Sequence, residues 1–135
     1  MSQSQKEKVL AFYDLAMSSP REAFEKFAAE DFQWINPLPE NIPFGGTYHG
    51  MKGLFKYLTE LDAAIEMSPL HFDEIISENG LVSAIGVEKD TLVKSTGKKY
   101  TMPFVHVLNF NDDGKLSQVR EYNDVTDMLR AFKSD

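Results

Sequence analysis

The sequence predicts an α+β fold in which a curved antiparallel sheet wraps around N-terminal helices to form a cone with an internal pocket. Three observations carry this. Helix-period apolar patterns dominate up to about residue 66, strand-period alternation dominates beyond residue 69, and glycine-containing turns divide that second part. Helices placed before an antiparallel run must cover one face of a single sheet. A bent sheet closed by helices leaves a cavity suited to a ligand, and its other face is the natural site for a homodimer.

From Gln3 to Met17, Val9, Leu10, Phe12, Tyr13, Ala16 and Met17 recur at steps of three and four, which predicts an amphipathic helix. "SSP" ends it, and Ser19 followed by Pro20 supplies the N-cap and first position of a second helix reaching Ala29. Its buried stripe is Ala23, Phe24, Phe27 and Ala28. "DFQWIN" alternates as a short strand does, and "PLPENIPFGGTYHG" reads as a loop of restricted shape. A third helix is expected over Met51 to Glu66, with Leu54, Phe55, Leu58, Leu61 and Ile65 on its apolar side. Four strands follow, joined at Asn79-Gly80, Thr96-Gly97 and Asp113-Gly114, and "VTDMLRAF" forms a short closing helix.

A length of 135 residues indicates a single domain, 1–135, and a hydrophobic fraction of 42% with ten Phe indicates a packed core. The net charge of −7 repels phosphate backbones, so nucleic acid is not an expected partner. No apolar run approaches the roughly 20 residues of a membrane span, and "MSQSQKEKVLAFYD" lacks the apolar stretch of a signal peptide. A cytoplasmic location is therefore expected, with no membrane partner. There is no cysteine, hence no disulfide framework and no thiolate chemistry. His49, His71 and His106 show no paired helical spacing, so no metal is expected, and Gly45-Gly46 lacks the spacing of a phosphate loop, so no nucleotide cofactor is expected either.

The chemistry gathers on "FVHVLNFNDDGKLSQVREYND". One face of its first strand carries Met102, Phe104, His106, Leu108 and Phe110. Across the turn, Val119, Glu121, Asn123 and Val125 alternate with Arg120, Tyr122, Asp124 and Thr126. A two-residue Asp113-Gly114 loop places His106 opposite Glu121. A three-residue loop ending in Gly114 places it opposite Arg120, and one bulge interconverts the two. The residues alone leave both registers open.

"AFYDLAMSSPREAFEKFAAEDFQW", "YHGMKGLFKYL", "STGKKYTMPFVHVLNFNDDGKL" and "REYND" follow one another in an order and spacing that resemble the nuclear transport factor two-like superfamily. Within it the chain is similar to SnoaL-like polyketide cyclases, ketosteroid-isomerase-like proteins and limonene-epoxide hydrolase. The resemblance implies a cystatin-like cone and pairs His106 with Glu121 as the proton-transfer couple. It implies a small apolar or carbonyl-bearing ligand and isomerase or cyclase chemistry without a cofactor. Two alternatives stand beside it: epoxide-hydrolase-like water addition with Glu121 as the base, and a non-catalytic ligand-binding or dimerisation module. The hydrolases' Arg-x-Asp on a central strand has no clean equivalent, because "VEKD" lacks the arginine.

On this reading Glu121 and His106 are the candidate catalytic residues. Asn36 and Trp34, the latter beside the expected mouth, would position substrate or water. Met102, Phe104, Leu108, Asn123 and Tyr13 complete the candidate substrate-binding set. Asp124 reads as a helix cap or a partner of Arg120, and Arg120 and Tyr122 as outer-face residues.

Overall fold

The computed structural model describes residues 4–135, so Gln3, the expected start of the first helix, lies outside the described residues. In chain order the elements are α1 (Gln5–Ser18), α2 (Pro20–Phe27), β1 (Ala28–Asn36), β2 (Gly46–His49), α3 (Gly50–Ala64), β3 (Ile65–Glu66), β4 (Leu70–Glu78), β5 (Leu81–Val93), β6 (Lys99–Phe110), β7 (Leu116–Asn123) and α4 (Thr126–Phe132). The α+β reading holds. A strongly curled sheet of order β2-β1-β7-β6-β5-β3, with β4 also paired to β5, closes around the helices. Its pairs are antiparallel except β1 with β7, which run parallel, an arrangement that the long stretch of chain between them permits. No helix among the described residues is long and apolar enough to cross a membrane.

α1 starts on a side-chain N-cap: Ser4 Oγ accepts a hydrogen bond from the Glu7 backbone N–H at 3.1 Å. Val9, Phe12 and Tyr13 are its buried residues, whereas Leu10 and Met17 of the expected stripe are 46% and 42% exposed. That stripe is therefore narrower than the sequence pattern. Ser19 occupies the N-cap of α2 without a side-chain cap bond, and its backbone carbonyl instead accepts from the Ala23 N–H at 3.0 Å. α2 ends at Phe27 rather than Ala29, since Ala28 already has extended backbone and enters β1. The proline-rich segment is a loop only as far as Gly45. Its end is β2, which pairs with β1 from Gln33–His49 to Asn36–Gly46, while Ile42 and Phe44 turn inward. α3 stops at Ala64 because Ile65 and Glu66 pair with Val93 and Leu92.

Two of the sheet's four register shifts bear on the cavity. In β5 the pairing passes from Glu88–Met102 to Thr91–Tyr100, with Lys89 and Asp90 interposed and Asp90 at φ +56°. The extra residue shifts the alternation so that both Glu88 and Thr91 face inward. In β7 the pairing passes from Phe110–Leu116 to Asn109–Gln118, with Ser117 unpaired.

Gly86 lies at the crowded centre of β5, opposite Phe72 and Phe104. A Cβ there would collide with the His71 carbonyl oxygen and press on the Phe104 ring. Gly86→Ala is therefore expected to cost about 1–3 kcal/mol, read as a lower urea midpoint at unchanged slope. A midpoint equal to that of the wild type would show that β4 and β5 are not this closely apposed.

Candidate functional site

Inside the cone lies a cavity of about 200 Å³, at the small end for a ligand site. β6 supplies Tyr100, Met102, Phe104 and His106 to its wall, at the period of two that a strand imposes. β7 adds Glu121, β5 adds Glu88, β1 adds Trp34 and Asn36, α1 adds Phe12 and Tyr13, and α3 adds Tyr57. Met17 and Met67 are lining residues left exposed, which places the opening between the α1–α2 corner, α3 and the β3–β4 link.

The β6–β7 register brings His106 opposite Glu121. His106 Nε2 and Glu121 Oε1 are 2.8 Å apart, with His106 4% and Glu121 6% exposed. On the other side of the imidazole, Tyr13 Oη is 2.6 Å from His106 Nδ1. Burial first, then the Glu121 charge, pushes the Tyr13 hydroxyl well above the ordinary tyrosine range, so it keeps its proton. A carboxylate oxygen only accepts, so with Nε2 donating to Glu121 the other ring nitrogen, Nδ1, is open to accept from the Tyr13 hydroxyl. Asn123 Nδ2 donates to the second Glu121 oxygen. Three aromatic rings fix the imidazole in place: Phe104 at 4.5 Å between ring centres, Trp34 at 5.5 Å and Tyr13 at 5.8 Å.

Seven of the nine candidate residues line the cavity: Glu121, His106, Asn36, Trp34, Met102, Phe104 and Tyr13. Leu108 does not. It pairs with Val82 and Val119, all three fully buried, so side chains fill the cone at that level. Asn123 also lies outside the lining and reaches the site only through its bonds to Glu121 and to the Met102 sulfur. Trp34 is deep in the wall, stacked 5.3 Å from Tyr57, rather than at the mouth. Asp124 Oδ1 accepts from the Thr126 N–H at 3.1 Å at the start of α4, whereas Arg120 contacts Tyr122. Among the described residues, no three acidic or histidine side chains gather in a way that would hold a metal ion.

Sequence reasoning missed Glu88, Tyr57 and Tyr100. Their signals were present. Val82, Ala84 and Gly86 alternate into Glu88, Tyr100 continues the Met102–Phe104 face, and Tyr57 stands three residues from Leu54 on α3. Glu88 is 5% exposed. Burial pushes its carboxyl up from the ordinary range, nearby Tyr100 and Thr91 hydroxyls pull it down, the Glu121 charge raises it and His106 lowers it. Burial, then the neighbouring carboxylates, raises the Tyr57 and Tyr100 hydroxyls as well.

A cone with this cavity is the NTF2-like fold, and the SnoaL-like domain family matches residues 9–119. The chain belongs to that family. The matched segment contains Tyr13 and His106 and stops short of Glu121. An NTF2-like protein from Burkholderia xenovorans LB400 superimposes with a TM-score of 0.82 at 24% identity, covering 98% of this chain and 99% of that one. TerC co-crystallised with polyporic acid gives 0.82 at 24% identity over 97% of this chain and all of its own, 100%. A Catenulispora acidiphila protein of ketosteroid-isomerase-like fold, in complex with trimethylamine, gives 0.76 at 15% identity over 96% and 94%. At such identities the likeness establishes the fold. Comparison with curated protein sequences finds no match.

The raised Glu88 carboxyl gives a pH prediction. The folded chain holds this proton at pH values where the unfolded chain, near the ordinary ~4.3, has released it. Its stability contribution is therefore present below ~4.3 and lost as pH rises through the raised value. Glu88→Gln should match the wild type in thermal midpoint at low pH and exceed it increasingly toward neutral pH and above. A midpoint difference that does not vary with pH would show that Glu88 is solvated.

Proposed function

We propose that this SnoaL-like domain is a cofactor-independent isomerase or cyclase that moves a proton on a small, apolar, carbonyl-bearing molecule. The observation that carries this reading is the Tyr13–His106–Glu121 hydrogen-bond chain, buried in a cavity whose remaining wall is largely apolar. In the reaction a proton leaves a carbon beside the substrate carbonyl for a Glu121 oxygen. The electron pair passes to the carbonyl oxygen as an enolate, and Glu121 returns the proton at a second carbon. His106, held by Tyr13, balances the changing charge on Glu121 through Nε2. Trp34 Nε1, an unpartnered donor deep in the wall beside His106, is suited to the enolate oxygen. Neighbours crystallised with polyporic acid and with trimethylamine support a cone of this fold as a holder of small organic molecules.

Water addition of the epoxide-hydrolase kind has less behind it. Glu88 faces the cavity on the central strand, but the adjacent cation, Lys89, is exposed.

The test is hydrogen–deuterium exchange of the α-hydrogens of 1-tetralone, a bicyclic monoketone, followed by NMR in D₂O. Wild-type protein should accelerate exchange, and Glu121→Gln should lower the rate by about 10²–10⁴-fold while calorimetric binding of the ketone persists. Binding without accelerated exchange in the wild type would leave a ligand-binding module.

The dimer face belongs to the same proposal. The exposed side chains of Ile76, Leu81 and Tyr122 lie on β4, β5 and β7, away from the cavity, and bury apolar surface if two sheets pack face to face. Light scattering should show a dimer in the wild type and a monomer for Ile76→Glu with Tyr122→Glu. A monomeric wild type rules this face out.

A further inference from the structure

Six buried side-chain atoms among the described residues have no hydrogen-bond partner in the protein, and four of them line this one cavity: Trp34 Nε1, Asn36 Oδ1, Glu88 Oε2 and Tyr100 Oη. Unpaired buried polar groups are destabilising, so their concentration in a single cavity needs a physical reason. They fall into two groups. Trp34 lies against His106, with ring centres 5.5 Å apart, and Asn36 follows it two residues later on β1. Glu88 and Tyr100 belong to a different level of the cone. Glu88 pairs with Met102, four residues along β6 from His106 or about 13 Å of strand, and Tyr100 is two residues further on.

We infer that Glu88 and Tyr100 form a second polar pole of the cavity that receives a hydroxyl or carbonyl oxygen of the ligand, so that the ligand is a small apolar molecule oxygenated at both ends. This extends the carbonyl-binding reading of the site by naming its substrate class, and it does not depend on the proton transfer. The geometry behind it is local. The Lys89–Asp90 bulge turns Glu88 inward, and the alternation of β6 turns Tyr100 the same way. The Tyr100 hydroxyl and the Glu88 carboxyl lie near each other, yet neither Tyr100 Oη nor Glu88 Oε2 completes a bond. A ligand oxygen facing both would accept from Tyr100, and if it is a hydroxyl it can exchange a hydrogen bond with Glu88 in either protonation state. Raised by burial, the Glu88 carboxyl is disposed to stay neutral, and so favours a neutral oxygen over a cation.

Discrimination follows from the unpaired groups. A ligand lacking the second oxygen leaves them unsatisfied, whereas one that carries it completes them. The probes are 6-hydroxy-1-tetralone and 1-tetralone, which differ by that single oxygen, with benzyltrimethylammonium as a cationic probe, all measured by titration calorimetry. Wild-type protein should bind the hydroxyketone about tenfold more tightly than the ketone, the worth of one net hydrogen bond. Tyr100→Phe and Glu88→Leu should each bring that ratio toward one, while Glu88→Gln, which keeps a donor and an acceptor, should retain much of it. The ratio is read from binding alone, by two ligands that differ only in the second oxygen, so a failure of the proposed catalysis leaves this result standing. A wild-type ratio near one overturns the inference, and so does a ratio that survives both Tyr100→Phe and Glu88→Leu. Tighter binding of the cation than of either ketone, abolished by Glu88→Leu, would also overturn it by making the pole a cation site.

Discussion

The bond between His106 and Glu121 depends on Ser117 standing unpaired in β7. The turn is a three-residue loop, with Asn111 N–H bonded to the Lys115 carbonyl at 2.8 Å and Gly114 at φ +76°. Left to itself, that loop would continue the Phe110–Leu116 pairing and set His106 against Arg120. The bulge adds one residue, the register becomes His106–Glu121, and Arg120 moves to the outer face. Because strand side chains alternate, this one residue decides whether the cone encloses a carboxylate or an arginine. Tyr13, Trp34 and Asn123 are arranged around that outcome, since each of them touches His106 or Glu121.

A carboxylate withdrawn from water must be compensated, and the cavity treats its two glutamates differently. Glu121 has a donor on each oxygen, His106 on one and Asn123 on the other. Glu88 has an oxygen with no partner and answers burial by holding its proton more tightly. The groups are not independent, because the Glu121 charge raises Tyr13, Tyr57, Glu88 and Tyr100 alike. A change of charge on Glu121 during a reaction would therefore be felt across the whole cavity. That coupling is strong only because aromatic walls keep the local dielectric low.

Much of this architecture is legible in the sequence because it follows from periodicity. The inward face of β6, the apolar side of α3 and the glycine turns obey local rules that tertiary context did not override. The register was not legible, since serine carries no signal for a bulge and both loop lengths suit "NDDG". Nor was the mouth, which depends on where the ends of three separate segments meet. Leu108 shows the limit of face arguments: it shares the face of His106, yet sits where the cone has already filled with side chains. Glu88 shows the opposite failure. Its inward phase is readable from Val82, Ala84 and Gly86, but the exposed Lys89 and Asp90 that follow it in "VEKD" give the segment the look of a polar turn.

The SnoaL-like cone serves many chemistries, so family membership alone does not select one. The balance of cost within the cavity is more informative. Leucine or methionine at position 88 and phenylalanine at position 100 would fill the same volumes without unpaired polar atoms, and stability alone favours them. Beyond the cavity the core is closed by apolar residues such as Leu54, Val82, Leu108 and Val119, so the fold is capable of that solution where nothing else is required. Two unsatisfied groups next to a satisfied pair make sense when the missing partners arrive with the ligand. On that argument the proposed ligand brings oxygen to both ends, and Trp34, beside the His106–Glu121 pair, meets one of them.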